Sequence, residues 1–314
     1  MAIRTGARAD VDAAVGRALL RGGRSDVRGI LFLGGLLLAL LVSLLVLATL
    51  LGEALRDGVP VFRERGFDFV TSNISSLPER AGVWQGIKGS LTILVFVVIL
   101  AIPLGVGAAI YMEEYARDTR LTRIINANIR NLAGVPSIVY GLLGIALFVQ
   151  LQLLTPITGG RSVISAGLTM SLLVLPIVII TAAEAVRAVP ANIREAAFGV
   201  GATRSEVVRS HVLPYALPGI LTGTILTLAR AFGEAAPLVL IGASTGFLSE
   251  GSRTFIEGLQ GPYTALPIIV YDFATRNLRA FQASTAAAAL VLLAVLLVVN
   301  ATAIALRNRY ERKW

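Results

Sequence analysis

"REAAFGVGATRSEVVRSHVLP", Arg194 to Pro214, is the stretch on which the reading of this chain turns. It gathers three arginines, two glutamates and the only histidine of a chain that is 55% apolar. Long uncharged runs lie on both sides of it. A tight turn would suffice to join two membrane helices, so a helix-patterned polar segment between them implies a second purpose. From Thr203 the order T-R-S-E fits a capping box, in which the threonine hydroxyl accepts from a free amide while Glu206 reaches back. Val207, Val208 and Val212 share one flank, opposite Arg204, Arg209 and Ser210. Gly199 and Gly201 punctuate the segment, and Pro214 closes it. These features predict a short helix, a glycine-hinged turn and a second short helix outside the bilayer. Such a segment suits the headgroup region or the groove of a soluble partner.

The rest of the chain supplies the membrane. Its 314 residues are only 15% charged, with a mean hydropathy of +0.77, far from a soluble composition. About 20 apolar residues in a helix cross the roughly 30 Å hydrocarbon core. Ile30–Leu51, Leu91–Tyr111, Leu132–Leu154, Val163–Ala183 and Ala283–Leu306 are uncharged runs of that order, and Tyr215–Ala243 is interrupted only by Arg230 and Glu234. The fold class predicted is therefore an all-α polytopic membrane protein with six transmembrane helices. The first run is too long and too far from the start for a cleaved signal peptide, so it reads as a retained span.

Charge sets the orientation. Six arginines lie in residues 1–28, four in 112–131 and four in 187–213, and 307–314 adds Arg307, Arg309, Arg312 and Lys313. The alternate segments hold Arg56, Arg63, Arg65 and Arg80, then Arg161, then Arg253, Arg276 and Arg279. This bias predicts cytoplasmic termini, and it accounts for the net charge of +9 without nucleic acid. The domain plan follows: a basic tail over 1–28, a first span over 29–52 and an external loop over 53–86. A core covers 87–307, with the polar segment at 189–214 and an external loop at 244–280, and a basic tail covers 308–314. Within the second external loop, "YTALPIIVYDF" is apolar but too short to span, so it is expected to cap the bundle or dip into it. Cysteine is absent, which removes disulfides and thiolate sites. His211 has no second histidine beside it and reads as a surface or interface side chain, so no metal is expected.

Two features point to a transport path. Arg230 and Glu234 sit inside the fifth run at i, i+4, where an ion pair offsets part of the roughly 2.5–3.5 kcal/mol cost of an intramembrane arginine. Either the pair pins helices together, or Arg230 faces an anion with Glu234 holding its guanidinium. Arginine suits a tetrahedral oxyanion because its planar fork presents two parallel donors. Helix breakers recur at Pro103, Pro176, Pro218, Gly219 and Gly223, and at Gly134 and Pro136 beside Ser137. The last group would kink the third span and free amides for an anion or a gate. The Ser137 hydroxyl alternatively bonds back to its own helix. Glu184 and Arg187 mark the end of the fourth span.

Glu195-Ala196-Ala197, Gly201 four residues later and Leu213-Pro214 resemble the EAA loop of ABC-importer permeases, with His211 where that pattern has isoleucine. The resemblance implies a coupling helix that docks on a cytoplasmic ATPase, with Thr203 and Glu206 inside it. "TLARAFGEAAPLVLIG" (Thr227–Gly242) and "LAGVPSIVYGLLG" (Leu132–Gly144) are similar to the signatures of phosphate-specific permease subunits of the PstA type, with Ala235 where those have threonine. What this implies is a MetI-like, type I importer permease that catalyses no reaction itself. Its partners would be a second permease of the PstC type, a homodimeric ATPase of the PstB type and an external phosphate-binding protein of the PstS type. ATP and magnesium would sit on the ATPase, and no cofactor on this chain, which lacks G-x4-G-K-[ST]. The pathway residues implied are Arg230, Glu234, Ser137, Gly134 and Pro136. Sulfate or molybdate import is the alternative within this class. An ion-coupled secondary transporter would need unpaired membrane acids, and an intramembrane enzyme a catalytic constellation that the spans do not hold.

Overall fold

The computed structural model describes residues 27–151, 154–244, 255–276 and 279–310, and no strand occurs among them. The predicted N-terminal tail lies almost wholly outside the described residues, as do 245–254 of the second external loop and 311–314 of the C-terminal tail.

The chain divides after Glu53. Up to that point the described residues form the first part of helix α1 (Val27–Arg65), and every side chain from Gly29 to Glu53 is exposed, as an apolar helix surrounded by lipid would be. Helix α1 does not stop at residue 52. The external loop expected from 53 is helical as far as Arg65 because Glu53-Ala54-Leu55-Arg56 are strong helix formers and no chain reversal is available before Gly66, at φ +55°.

From Ala54 onward the chain builds one packed bundle. Helix α2 (Asp68–Thr71) is a single turn, and α3 (Trp84–Ile110) continues through a π-helical turn, Tyr111–Tyr115. Helix α4 (Arg120–Ala133) precedes α5 (Ser137–Gly144), which runs into a second π-helical stretch, Ile145–Gln150. After the short α6 (Thr155–Thr158) comes α7 (Val163–Arg187), the most deeply buried span. Helices α3 and α7 lie so close that a Cβ on Gly167 would sit 2.5 Å from the Phe96 ring. Val97, Ala101, Met170 and Val174 form the seam between them. The next elements are α8 (Ala191–Gly199), α9 (Arg204–Val207) with a π-helical turn at Val208–Val212, α10 (Leu213–Gly233) and α11 (Ala236–Ile241). They are followed by α12 (Phe255–Gln260), α13 (Leu266–Thr275) and the long α14 (Arg279–Tyr310).

Five helices among the described residues are long and apolar enough to cross a membrane, and a sixth crossing results if the bent pair Arg120–Ala133 and Ser137–Gln150 counts as one. The predicted six spans are matched if that pair counts as one crossing, and two of the predicted segments are broken. In the third, the two segments meet at 101°. Pro136 has no amide to donate and restricts Val135 before it, so the ladder stops at Gly134. In the fifth, Pro237 would clash with the Gly233 carbonyl in a continuous helix, so α10 ends there and Glu234 turns extended at ψ 120°. The "YTALPIIVYDF" stretch dips into the bundle. Leu266, Ile268, Ile269 and Phe273 are buried, and the Leu266 amide donates to Ser90 Oγ at 2.8 Å.

Candidate transport site and coupling segment

Arg230 lies in the last turn of α10 and Glu234 just past it, so their contact bridges the break. The i, i+4 spacing holds, with Nε 3.4 Å from Glu234 Oε1, but the two residues do not share a continuous helical face. The Arg230 side chain is 54% exposed against 19% for Glu234. Its guanidinium carries five N–H donors, and Glu234 is its single ionic partner among the described residues. The C-terminal end of α10 favours a cation there. An arginine braced on one edge and open on the other can accept an oxyanion through its unused donors.

The second break faces this one. Helix α11 packs on α5 so tightly that a Cβ on Gly141 would lie 2.9 Å from Pro237 Cα. Tyr140 ties the third-span break together by donating its hydroxyl to the Leu132 carbonyl at 2.9 Å. Gly134 and Pro136 are exposed, and Ser137 is half-buried. No hydrogen bond joins any of these three to Arg230 or Glu234. The Ser137 hydroxyl does not back-bond to its own helix either, although sequence had left that open.

The polar segment is organised around Gly201, whose φ of +86° belongs to the left-handed region. Thr203 caps α9 as the T-R-S-E order predicts: its amide donates to Glu206 Oε2 at 2.7 Å, and its hydroxyl accepts from the Glu206 amide at 3.4 Å. Val207, Val208 and Val212 are buried, while Arg209, Ser210 and His211 are exposed. The expected separate second helix does not exist, because α9 continues into α10 and Pro214 does not end it. The preceding π-helical turn, in which the Leu213 amide reaches back to the Val208 carbonyl, re-registers the ladder so that a missing amide at 214 is tolerated. Within Glu195-Ala196-Ala197, Ala197 is buried against Val212 and Ala216, whereas Glu195 and Ala196 face outward with Phe198 and Val200. Leu213 is half-buried and Pro214 exposed.

Sequence reasoning missed the partners of this segment. Glu113 accepts from Arg187, with Nε 3.2 Å from Oε2, and Glu114 accepts from Arg194 Nε at 3.1 Å and Nη2 at 2.8 Å. The Arg204 guanidinium lies over the Tyr115 ring, 5.4 Å from its centroid. The available signal was two adjacent acids closing the second apolar run, facing a downstream segment rich in arginine. No group of three His, Cys, Asp or Glu side chains suited to a metal occurs among the described residues.

Residues 101–313 match the family described as "Binding-protein-dependent transport system inner membrane component". The chain belongs to this family. It is 34% identical to the probable ABC transporter permease protein YqgI of Bacillus subtilis, over 67% of this chain and 68% of that one. It is 33% identical to the phosphate transport system permease protein PstA 1 of Mycobacterium tuberculosis, over 74% and 73% of the two chains. Against the phosphate transport system permease protein PstA of Xylella fastidiosa the figures are 30% over 78% and 82%. An inward-facing structure of the MetNI methionine ABC transporter superposes with a TM-score of 0.52 at 20% identity, covering 74% of this chain and 95% of that chain. A bacterial ABC transporter for the acidic polysaccharide alginate gives 0.58 at 16% identity, covering 92% and 99%. At these identities the structures report the fold alone, the MetI-like arrangement of an ABC importer permease. This chain is thus a membrane translocation subunit of an ABC importer.

Proposed function

We propose that this permease is half of the translocation pathway of an ATP-driven importer of inorganic phosphate in a bacterial plasma membrane. The observation that carries the reading is an arginine at the broken end of a span, braced by one carboxylate and otherwise open. The relatives named for phosphate transport support that choice of anion. Arg230 would bind phosphate through two parallel donors, with Glu234 fixing the guanidinium and moderating its affinity so that the anion can leave. Gly134, Pro136 and Ser137 would line or gate the same path from the facing break.

The chain would pair with a homologous second permease of the PstC type. Its segment 189–214 would face the cytoplasm with both termini, and a PstB-type ATPase dimer would dock on Glu195, Ala196, Gly201 and their neighbours. A PstS-type phosphate-binding protein would dock outside. ATP and magnesium belong to the ATPase, and this subunit holds no cofactor. ATP-driven closure of the ATPase would expose Arg230 to the two sides of the membrane in turn.

The test is uptake in vesicles containing this chain, the second permease, the ATPase and the binding protein, with labelled phosphate or sulfate. Phosphate accumulation that requires ATP and the ATPase is expected. Sulfate accumulation in place of phosphate would move the reading to another oxyanion, and accumulation without the ATPase would make the protein a secondary transporter.

A further inference from the structure

Glu113, Glu114 and Tyr115 are consecutive residues of one π-helical turn, and each engages a different arginine of the segment from Arg187 to Arg204. The middle contact is the deepest, with Glu114 9% and Arg194 23% exposed at the side chain. Besides its two bonds to Glu114, Arg194 donates through Nη1 to the Val189 carbonyl at 2.6 Å and through Nη2 to the Val186 carbonyl at 2.9 Å. One guanidinium therefore holds the end of α3, the carbonyl end of α7 and its own helix α8. The rigid fork fixes the direction of all these bonds together. Shifting the end of α3 or α8 alone would leave a buried carboxylate without its cation, the costly way to break a buried pair, and shifting α7 alone would take two carbonyls from the same guanidinium.

The two faces of α8 differ in kind. Arg194 and Ala197 turn inward, whereas Glu195, Ala196 and Phe198 face out, followed by Val200 at 86% exposed. The outer face is free to receive a partner, and the inner face is fastened to α3, which lies along α7 throughout the bundle. A displacement applied to α8 has a direct route into α3 besides the covalent links to α7 and α10.

We propose that Glu114 and Arg194 form a coupling latch: positioning residues that carry the displacement of α8 into α3, so that this span moves with the docking segment during transport. This rests on the reading of 189–214 as the ATPase-docking segment. The contact stays closed throughout the cycle.

The test uses the assembled complex in vesicles, with three readouts: ATPase retained, ATP hydrolysed and labelled phosphate accumulated. For Glu114→Gln, retention and hydrolysis should match wild type, while phosphate moved per ATP falls about tenfold, within the usual span of coupling free energies. Arg194→Lys, which keeps the charge but loses the fork, should fall between the two. Because the chain has no cysteine, the pair Glu114→Cys and Arg194→Cys can be bridged selectively. Reduced, it should be uncoupled; joined by a short thiol crosslinker, it should regain uptake. Normal phosphate-to-ATP ratios in Glu114→Gln overturn the latch, and so does a crosslink that stops uptake, since the contact would then have to open. Loss of the ATPase from Glu114→Gln with no rescue by crosslinking reduces the pair to a folding contact and overturns it too. A wild-type complex that never retains the ATPase overturns the docking reading itself, an outcome visible before any variant is made.

Discussion

The helix that carries Arg230 is built in opposite ways at its two ends. At the Thr203 end a reciprocal capping box closes the first turn, Val207, Val208 and Val212 are buried, and Arg204 stacks on Tyr115. At the Gly233 end the ladder simply stops, and a half-exposed arginine meets one carboxylate at 3.4 Å. Redundant contacts fix one end; at the other, a single contact leaves donors unused. An element that must transmit force needs the first construction, and one that must exchange partners with a passing anion needs the second. The contrast can be broken by loosening the fixed end or by removing the exchangeable group.

The largest effect is expected from Arg230→Gln. Hydrogen bonds to charged groups contribute about 1.5–3 kcal/mol each, so losing two of them to phosphate should lower uptake roughly 10²-fold or more. Arg230 is exposed and bonded only to Glu234 among the described residues, so the complex should assemble at wild-type stoichiometry. Labelled-phosphate uptake and subunit ratios in the same vesicles test both halves. Failure to assemble would make the pair a helix-pinning contact, the packing role that sequence alone had left open.

That sequence could leave it open shows where sequence reading loses its hold. Hydropathy located the spans because about 20 apolar residues are needed whatever the neighbours, and the T-R-S-E order located the Thr203 cap because capping is local chemistry. Spacing alone also paired Arg230 with Glu234. It did not place the break between them, which depends on whether neighbouring helices let the chain escape the clash at Pro237. The same proline logic failed at Pro214, where a π-helical turn absorbs the missing amide. Glu114 and Arg194 lie 80 residues apart, and only packing of α3 along α7 brings them together. Local signals were legible; contacts made through packing were not.

Loosening the fixed end should have the next largest effect. Gly201→Val forces a β-branched side chain to φ +86°, at a cost of about 1–3 kcal/mol. No neighbouring atom lies within 4 Å of the position a Cβ would take, so the penalty is conformational, without a clash. ATP-dependent phosphate uptake should fall about tenfold, with the ATPase less firmly retained on purification. Unchanged uptake would mean that the bend at Gly201 plays no part in docking. Thr203→Ala should be milder, because it removes one side of a reciprocal cap worth about 1 kcal/mol. Uptake should drop a few-fold while the half-saturating phosphate concentration stays put, since nothing at Thr203 touches the anion path.

The smallest effects separate two residues of the third-span break that sequence would treat alike. Tyr140 and Ser137 lie within one turn of each other, yet Tyr140 spends its hydroxyl on the Leu132 carbonyl across the break, whereas the Ser137 hydroxyl has no hydrogen-bond partner among the described residues. Tyr140→Phe leaves that carbonyl with the Val135 amide as its donor and should cost about 1 kcal/mol, seen as a lower melting temperature in detergent with the half-saturating phosphate concentration unchanged. Ser137→Ala removes no hydrogen bond among the described residues and should leave melting within about 0.5 kcal/mol of wild type. If that free hydroxyl greets the anion, its loss should instead raise the half-saturating concentration about two- to fivefold, as expected for one neutral hydrogen bond. A Ser137→Ala variant with unaltered uptake would confine anion recognition to the Arg230 end of the facing break. The pair of substitutions therefore tests whether one kink divides into a part that holds its shape and a part that meets the substrate.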